Sequence, residues 1–405
     1  MVQQAGFFQR SFYFFPVLLC FCLPFGSLFL SAIVSLWTLS SFFNWRNLQL
    51  RSGFGTKHSW AMPLFFVLTL LSAFWSHNGR EASTAIEVKL GFLVFPYLLF
   101  GFKWPVEILK RCWVAFVSGC FFACLYLIVR ASWYASNGQP DYFYYTLFSD
   151  FIHASYFAMY LTTAIAIVIL YYPLWFAQQT SHLYLAYGFV AVFILCIFLC
   201  ASKLGIIGFF VTLPLIVISR FKIPITIKTS LWMLALLVIC IVLTTFLFPS
   251  VFDRLRSITE VQHETIDKTS VESTRVRVLI WKEAIGLIRA NPWMGVGVGD
   301  ANDALYAAYE KEGLTGALSH KFNAHNQYFQ TCIGMGLPGF MLLCLLTFWQ
   351  IVVAIQKKNP LHLVFAILIV LNFLVESMLQ TAAGVLYFGF FYAFFNAPNA
   401  KELQT

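Results

Sequence analysis

The chain has 405 residues, of which 60% are hydrophobic, 19% aromatic and only 11% charged, and its mean hydropathy of +0.77 lies far outside the range of soluble domains. Lipid is the expected solvent for most of it. The net charge of +9 does not point to nucleic acid, because the cations sit in short segments between apolar runs, which is the mark of membrane topology.

Taken in chain order, hydropathy predicts twelve spans, near 11–25, 27–44, 59–76, 84–101, 112–130, 151–172, 183–201, 204–219, 230–249, 330–355, 361–378 and 381–396. The apolar run 11–44 is too long for a signal peptide and has no small-residue cleavage site, so two retained helices turning near 24–27 are expected. With the N-terminus inside, thirteen Lys and Arg residues from Arg10 to Lys401 fall in cytoplasmic segments. The opposite short segments hold only Arg80, Lys89, Arg130 and Lys203. That asymmetry predicts both termini on the cytoplasmic side. All ten cysteines fall in apolar stretches and read as small core residues, not as a disulfide framework or a metal site.

One stretch breaks the apolar pattern. Residues 249–328 carry Arg, Lys, Asp, Glu and His throughout and are expected on the non-cytoplasmic side. A helix is predicted over 274–289, with Val278, Trp281, Ile285 and Ile288 on one stripe, ended by Asn291 and Pro292. Gly295, Gly297 and Gly299 follow. They read as a flexible turn, because a nucleotide loop would follow a strand and carry Lys-Ser/Thr. A second helix is predicted over 300–312. The expected division is 1–249 for spans one to nine, 250–328 for a loop domain with short helices, and 329–405 for the last three spans and a cytoplasmic tail.

The candidate chemistry gathers near the loop. His325, in Ala324-His325-Asn326-Gln327-Tyr328, stands where the loop re-enters the membrane, and the residue type suits a general base because an unperturbed imidazole titrates near the working pH. The alternative is that it caps or hydrogen-bonds the loop. Arg275, Arg277 and Lys203 are cations of the kind that hold diphosphate oxygens; for the arginines the alternative is ordinary loop charge. Glu376 is an intramembrane carboxylate, to orient His325 or to pair with Lys203 or an arginine. A structural ion pair is the competing role. Glu87, Lys89, Asp150 and His153 are weaker candidates of the same kind. The outer loops contain no His-x-x-x-His, Cys-x-x-Cys or Asp-x-Asp spacing, so no metal is expected.

These residues also carry a resemblance. Arg277-Val-Leu-Ile-Trp281, Asn291-Pro292-Trp-Met-Gly295-Val-Gly297, Ala324-His325-Asn326-Gln-Tyr328 and Gly334-Met-Gly336-Leu-Pro338-Gly339 together resemble the signature block of the O-antigen ligase superfamily, over roughly 270–345. The resemblance implies an all-α polytopic, GT-C-like fold of about twelve helices in the bacterial inner membrane, with a large periplasmic loop over a cavity open to the outer leaflet. It implies transfer of a glycan from undecaprenyl diphosphate to an acceptor, without metal or nucleotide cofactor. His325 would then activate the acceptor hydroxyl. Arg277, with Arg275 as a neighbour, would bind the diphosphate, and Asn326, Tyr328 and Glu376 would support the site. Lys203 stands where the family usually has Arg, so charge is kept but bidentate phosphate binding is lost. A ligase acting on lipid A-core is the first expectation. A polysaccharide polymerase comes next and a protein O-oligosaccharyltransferase third. From another class, a lipid-linked sugar flippase would spread its charges among the helices rather than in one loop.

Overall fold

A computed structural model describes residues 7–26, 29–49, 57–176, 180–224, 268–269 and 273–398, with isolated positions between 226 and 235. Fifteen principal helices run through them, and among the described residues there is no strand, only an isolated bridge between Leu48 and Phe102. The helices are α1 (Phe7–Cys22), α2 (Leu30–Phe42), α3 (Ala61–Ala73), α4 (Gly79–Lys89), α5 (Gly91–Phe100), α6 (Val106–Ser136), α7 (Ala154–Phe176), α8 (Thr180–Leu199) and α9 (Lys203–Phe221). After the polar stretch come α10 (Ser273–Ala290), α11 (Ala301–Glu312), α12 (Thr315–Ser319), α13 (Gln327–Gln356), α14 (Pro360–Val375) and α15 (Ala382–Asn396).

Among the described residues, five helical segments are long and apolar enough to cross a membrane: Gly79–Phe100, Val106–Ser136, Ala154–Tyr171, Lys203–Phe221 and Gln327–Gln356. Six shorter apolar helices fall on further predicted spans. The chain is an all-α, multi-pass membrane protein. The predicted span at 230–249 and the polar segment up to 267 lie outside the described residues.

Local chemistry sets the helix ends. Ser202, Asn326, Asn359 and Thr381 each accept a backbone N–H from the first turn of the following helix, and Pro360 opens α14 where its missing N–H costs nothing. The last helix is apolar all round, which marks a central element. From Ala383 to Phe395 every residue of α15 is buried. Trp113 stacks on Phe391 at 5.3 Å and meets Phe394 edge-on at 4.6 Å. Around this axis α1 packs on α2 and α6, α7 on α8 and α9, α13 on α14, and α5 on α15. The nine described cysteines are free, and seven of them are buried.

A second, smaller core joins α10, α11 and α12 to the start of α13 through Val276, Ile280, Ala284, Leu305, Tyr309 and Ile333. The helix expected over 274–289 is present, but the stripe it buries is Val276, Ile280 and Ala284. Val278 and Ile285 are exposed. Spacing alone marks two apolar stripes on this helix, and packing against α11 and α13 selects the other one.

The loop helices are fastened by backbone, not by side chains alone. Helix α13 breaks at Gly336, whose φ of 64° only glycine adopts freely, and Pro338 follows. The break frees polar groups that have no water to turn to. Val296 and Gly297 donate to the carbonyls of Ile333 and Gly334, and Leu337 donates to the carbonyl of Pro292. A Cβ on Gly336 would lie 2.2 Å from the Trp293 carbonyl oxygen, and one on Gly295 2.4 Å from that of Ile333. Gly297 and Gly299 press likewise on Ser76 and on Asn78 to Ala82. The Gly-x-Gly-x-Gly run, expected to be a flexible turn, is therefore a close-packed seam between the loop helices, the kink in α13 and the turn before α4. The Asp300 carboxylate completes the seam by accepting the backbone N–H groups of His77 and Asn78 at 2.8 and 2.7 Å, and Asn78 donates to Asp303 at 2.7 Å.

Candidate functional site

At the loop-bearing end of the bundle, three side chains that are distant in sequence meet. The Arg277 Nη2 of α10 lies 2.7 Å from Glu376 Oε1, and His325 Nδ1 lies 3.4 Å from Glu376 Oε2. Glu376 terminates α14 and is 8% exposed. A carboxylate so buried in a membrane protein requires a cation, which Arg277 supplies at one oxygen, while the His325 imidazole faces the other.

The position of His325 is over-determined. Its φ is +43°, a left-handed conformation that a non-glycine residue holds only when its neighbours enforce it. They do so on both sides. The Ala324 N–H donates to Gln330 Oε1 at 2.9 Å, the Ala324 carbonyl accepts Trp281 Nε1 at 3.0 Å, and the His325 N–H donates to Asn323 Oδ1 at 2.9 Å. Asn326 then caps α13 through Phe329 and donates its amide to the Leu374 carbonyl at 2.9 Å, tying the His-bearing turn to the helix end that carries Glu376. Gln327 closes the same junction by accepting the Leu379 N–H at 2.7 Å. The Phe322 ring stands edge-on to the imidazole at 5.1 Å. This arrangement holds Nδ1 toward the carboxylate and leaves Nε2 as the free nitrogen. At 3.4 Å the pair is a contact and not yet a tight hydrogen bond, as is common before substrate binds.

The other candidates are placed as follows. Tyr328 points away from the cluster: its hydroxyl donates to Thr347 at 3.1 Å and its ring stacks on Phe348. Lys203 opens α9, and Gly205 packs so closely on Ala158 of α7 that a Cβ there would come within 2.4 Å. That contact puts Lys203 at the same end as the start of α7. The Arg275 side chain lies outside the described residues. Asp150 forms an ion pair with Arg130.

Two residues at the start of α7 join the site. His153 and Tyr156 stand within electrostatic reach of Glu376, and their rings lie 5.5 Å apart. His153 was only a weak candidate in the sequence, and Tyr156 carried no signal there, because an aromatic in an apolar helix looks like core. Arg277 and His325 thus touch the carboxylate, and His153 and Tyr156 stand within electrostatic reach of it.

A buried carboxylate shared by an imidazole and a guanidinium, roofed by helices that a glycine seam locks down, marks a candidate site at one end of the bundle of a helical membrane protein. The family model for O-antigen ligase matches residues 188–344, which include α9 to α12, the seam and His325. That match supports an O-antigen ligase family assignment, the family being one of glycosyl-transfer ligases and polymerases. No curated protein matches the chain.

Proposed function

We propose that the protein is an O-antigen ligase that transfers a glycan from undecaprenyl diphosphate to a hydroxyl of lipid A-core oligosaccharide at the periplasmic face of the bacterial inner membrane. In this reading twelve helices surround the site in a GT-C-like fold with both termini in the cytoplasm, and 250–328 form the periplasmic loop between spans one to nine and the last three. One observation carries it: His325, Glu376 and Arg277 form a continuous contact chain.

The reaction is a single displacement. His325 Nε2 takes the proton of the acceptor hydroxyl, and Glu376 steadies the imidazolium that results. The acceptor oxygen attacks the anomeric carbon as the bond from that carbon to the phosphate oxygen breaks, and the electron pair leaves with the lipid diphosphate. The configuration inverts. Arg277 uses one of its five donors on Glu376 and has others for the departing phosphates, joined by Lys203 and Arg275. Asn326 fixes the turn that bears the base, and Tyr328 anchors the helix behind it. Cationic side chains here do what a divalent cation does in metal-dependent transfer.

The test is to supply the purified protein with an undecaprenyl-diphosphate glycan and lipid A-core in the presence of chelator. Glycosylated lipid A-core of inverted configuration is expected. Product that appears only as extended free polymer, or activity that vanishes with chelator and returns with a divalent metal, contradicts the reading.

A further inference from the structure

A buried cation remains outside the chain of contacts just described. Lys89 ends α4 and is 2% exposed, and its Nζ has no hydrogen-bond partner among the described residues. It shares the inner face of α4 with Ala82 and Ala85. A partnerless ammonium inside a membrane protein is costly and marks a place where an anion is received.

Its location says which anion. The Ala82 end of that face meets Gly299 of the loop seam, and α4 also packs on the turn Met378–Gln380, which follows Glu376 by two residues. Register is set one step further on, where Gly91 abuts the Val385 side chain, so Lys89 lies level with the beginning of α15. Ser377, between Glu376 and that turn, is 3% exposed, and its hydroxyl also lacks a partner among the described residues. The turn 376–381 therefore has the His325–Glu376–Arg277 cluster at one end and a partnerless ammonium packed near the other, with an unsatisfied hydroxyl between.

We propose that Lys89 and Ser377 form a second anion-binding arm that receives the lipid-proximal phosphate of a polyprenyl diphosphate, while the Arg277 arm faces the phosphate that bears the sugar. This rests on the reading given under Proposed function. An ammonium is a point charge that needs no bidentate geometry, and its desolvated setting strengthens its hold on an anion. Lys89 acts as a binding residue, and the proton transfer remains with His325.

The experiment measures binding of undecaprenyl diphosphate, without a glycan, to the full chain in lipid nanodiscs. Wild type is compared with Lys89→Met and Lys89→Arg, and thermal unfolding is followed without ligand. Lys89→Met should weaken binding at least about tenfold while unfolding at or above the wild-type temperature, since it removes an unpaired charge. Lys89→Arg should restore most of the affinity. Equal affinity in wild type and Lys89→Met overturns the inference and leaves the transfer reading intact, and so does a lowered unfolding temperature in Lys89→Met. Failure of wild type itself to bind the lipid diphosphate overturns the transfer reading, and this inference falls with it.

Discussion

At the scale of single residues, the proposed site depends on a carboxylate shared between an imidazole and a guanidinium. Replacing Glu376 with Gln keeps its shape and removes its charge, which frees the imidazole to turn and leaves Arg277 unpaired. Transfer should fall by about two to four orders of magnitude with little change in donor affinity, read as kcat against KM. Much of this was legible in the sequence. His325, Arg277 and Glu376 were all marked by being polar where the surroundings are apolar. Their convergence was not legible, because it needs the loop to fold back over the end of α14. Tyr328 shows the opposite failure: proximity to His325 in the chain suggested a place in the site, but alternation along the helix turns it into the core against Thr347.

At the scale of elements, the kink in α13 and the glycine seam hold the loop helices in place. Gly336→Ala should destabilise the protein by on the order of 2 kcal/mol or more, because the new Cβ meets the Trp293 carbonyl and the backbone sits at positive φ. Protease sensitivity within 273–323 should rise in this variant. The Asp300 clasp adds a pH dependence. Burial raises the carboxyl pKa, but the His77 and Asn78 donors outweigh it and hold the group below its ordinary 3.8. A depressed value means that the clasp stabilises fully above the ordinary pKa and is lost as pH falls through the depressed one. Acid unfolding of the wild type should therefore include a component that Asp300→Asn lacks, and at neutral pH that variant should be modestly less stable, by thermal unfolding. Hydropathy located the helices but could not read the seam. Backbone pairing between 296–297 and 333–334 leaves no side-chain pattern, and glycines forced by close approach look like glycines in a flexible turn.

At the scale of the whole molecule, apolar length and the positive-inside bias suffice to predict a polytopic helical protein, and its described helices follow that prediction. Topology is the part still to be measured. A single cysteine introduced near residue 320, in a background without the native cysteines, should react with a membrane-impermeant thiol reagent from the periplasm, whereas one at Lys358 should not. The position of the buried Glu376–His325–Arg277 cluster, at one end of the bundle beneath the loop helices, favours an enzyme over a flippase. The most direct test of the account is transfer from an undecaprenyl-diphosphate glycan to lipid A-core by wild type and by folded His325→Ala, side by side. The account predicts that the variant loses at least about a hundredfold in rate while still binding the donor. A His325→Ala protein that transfers at the wild-type rate would contradict it.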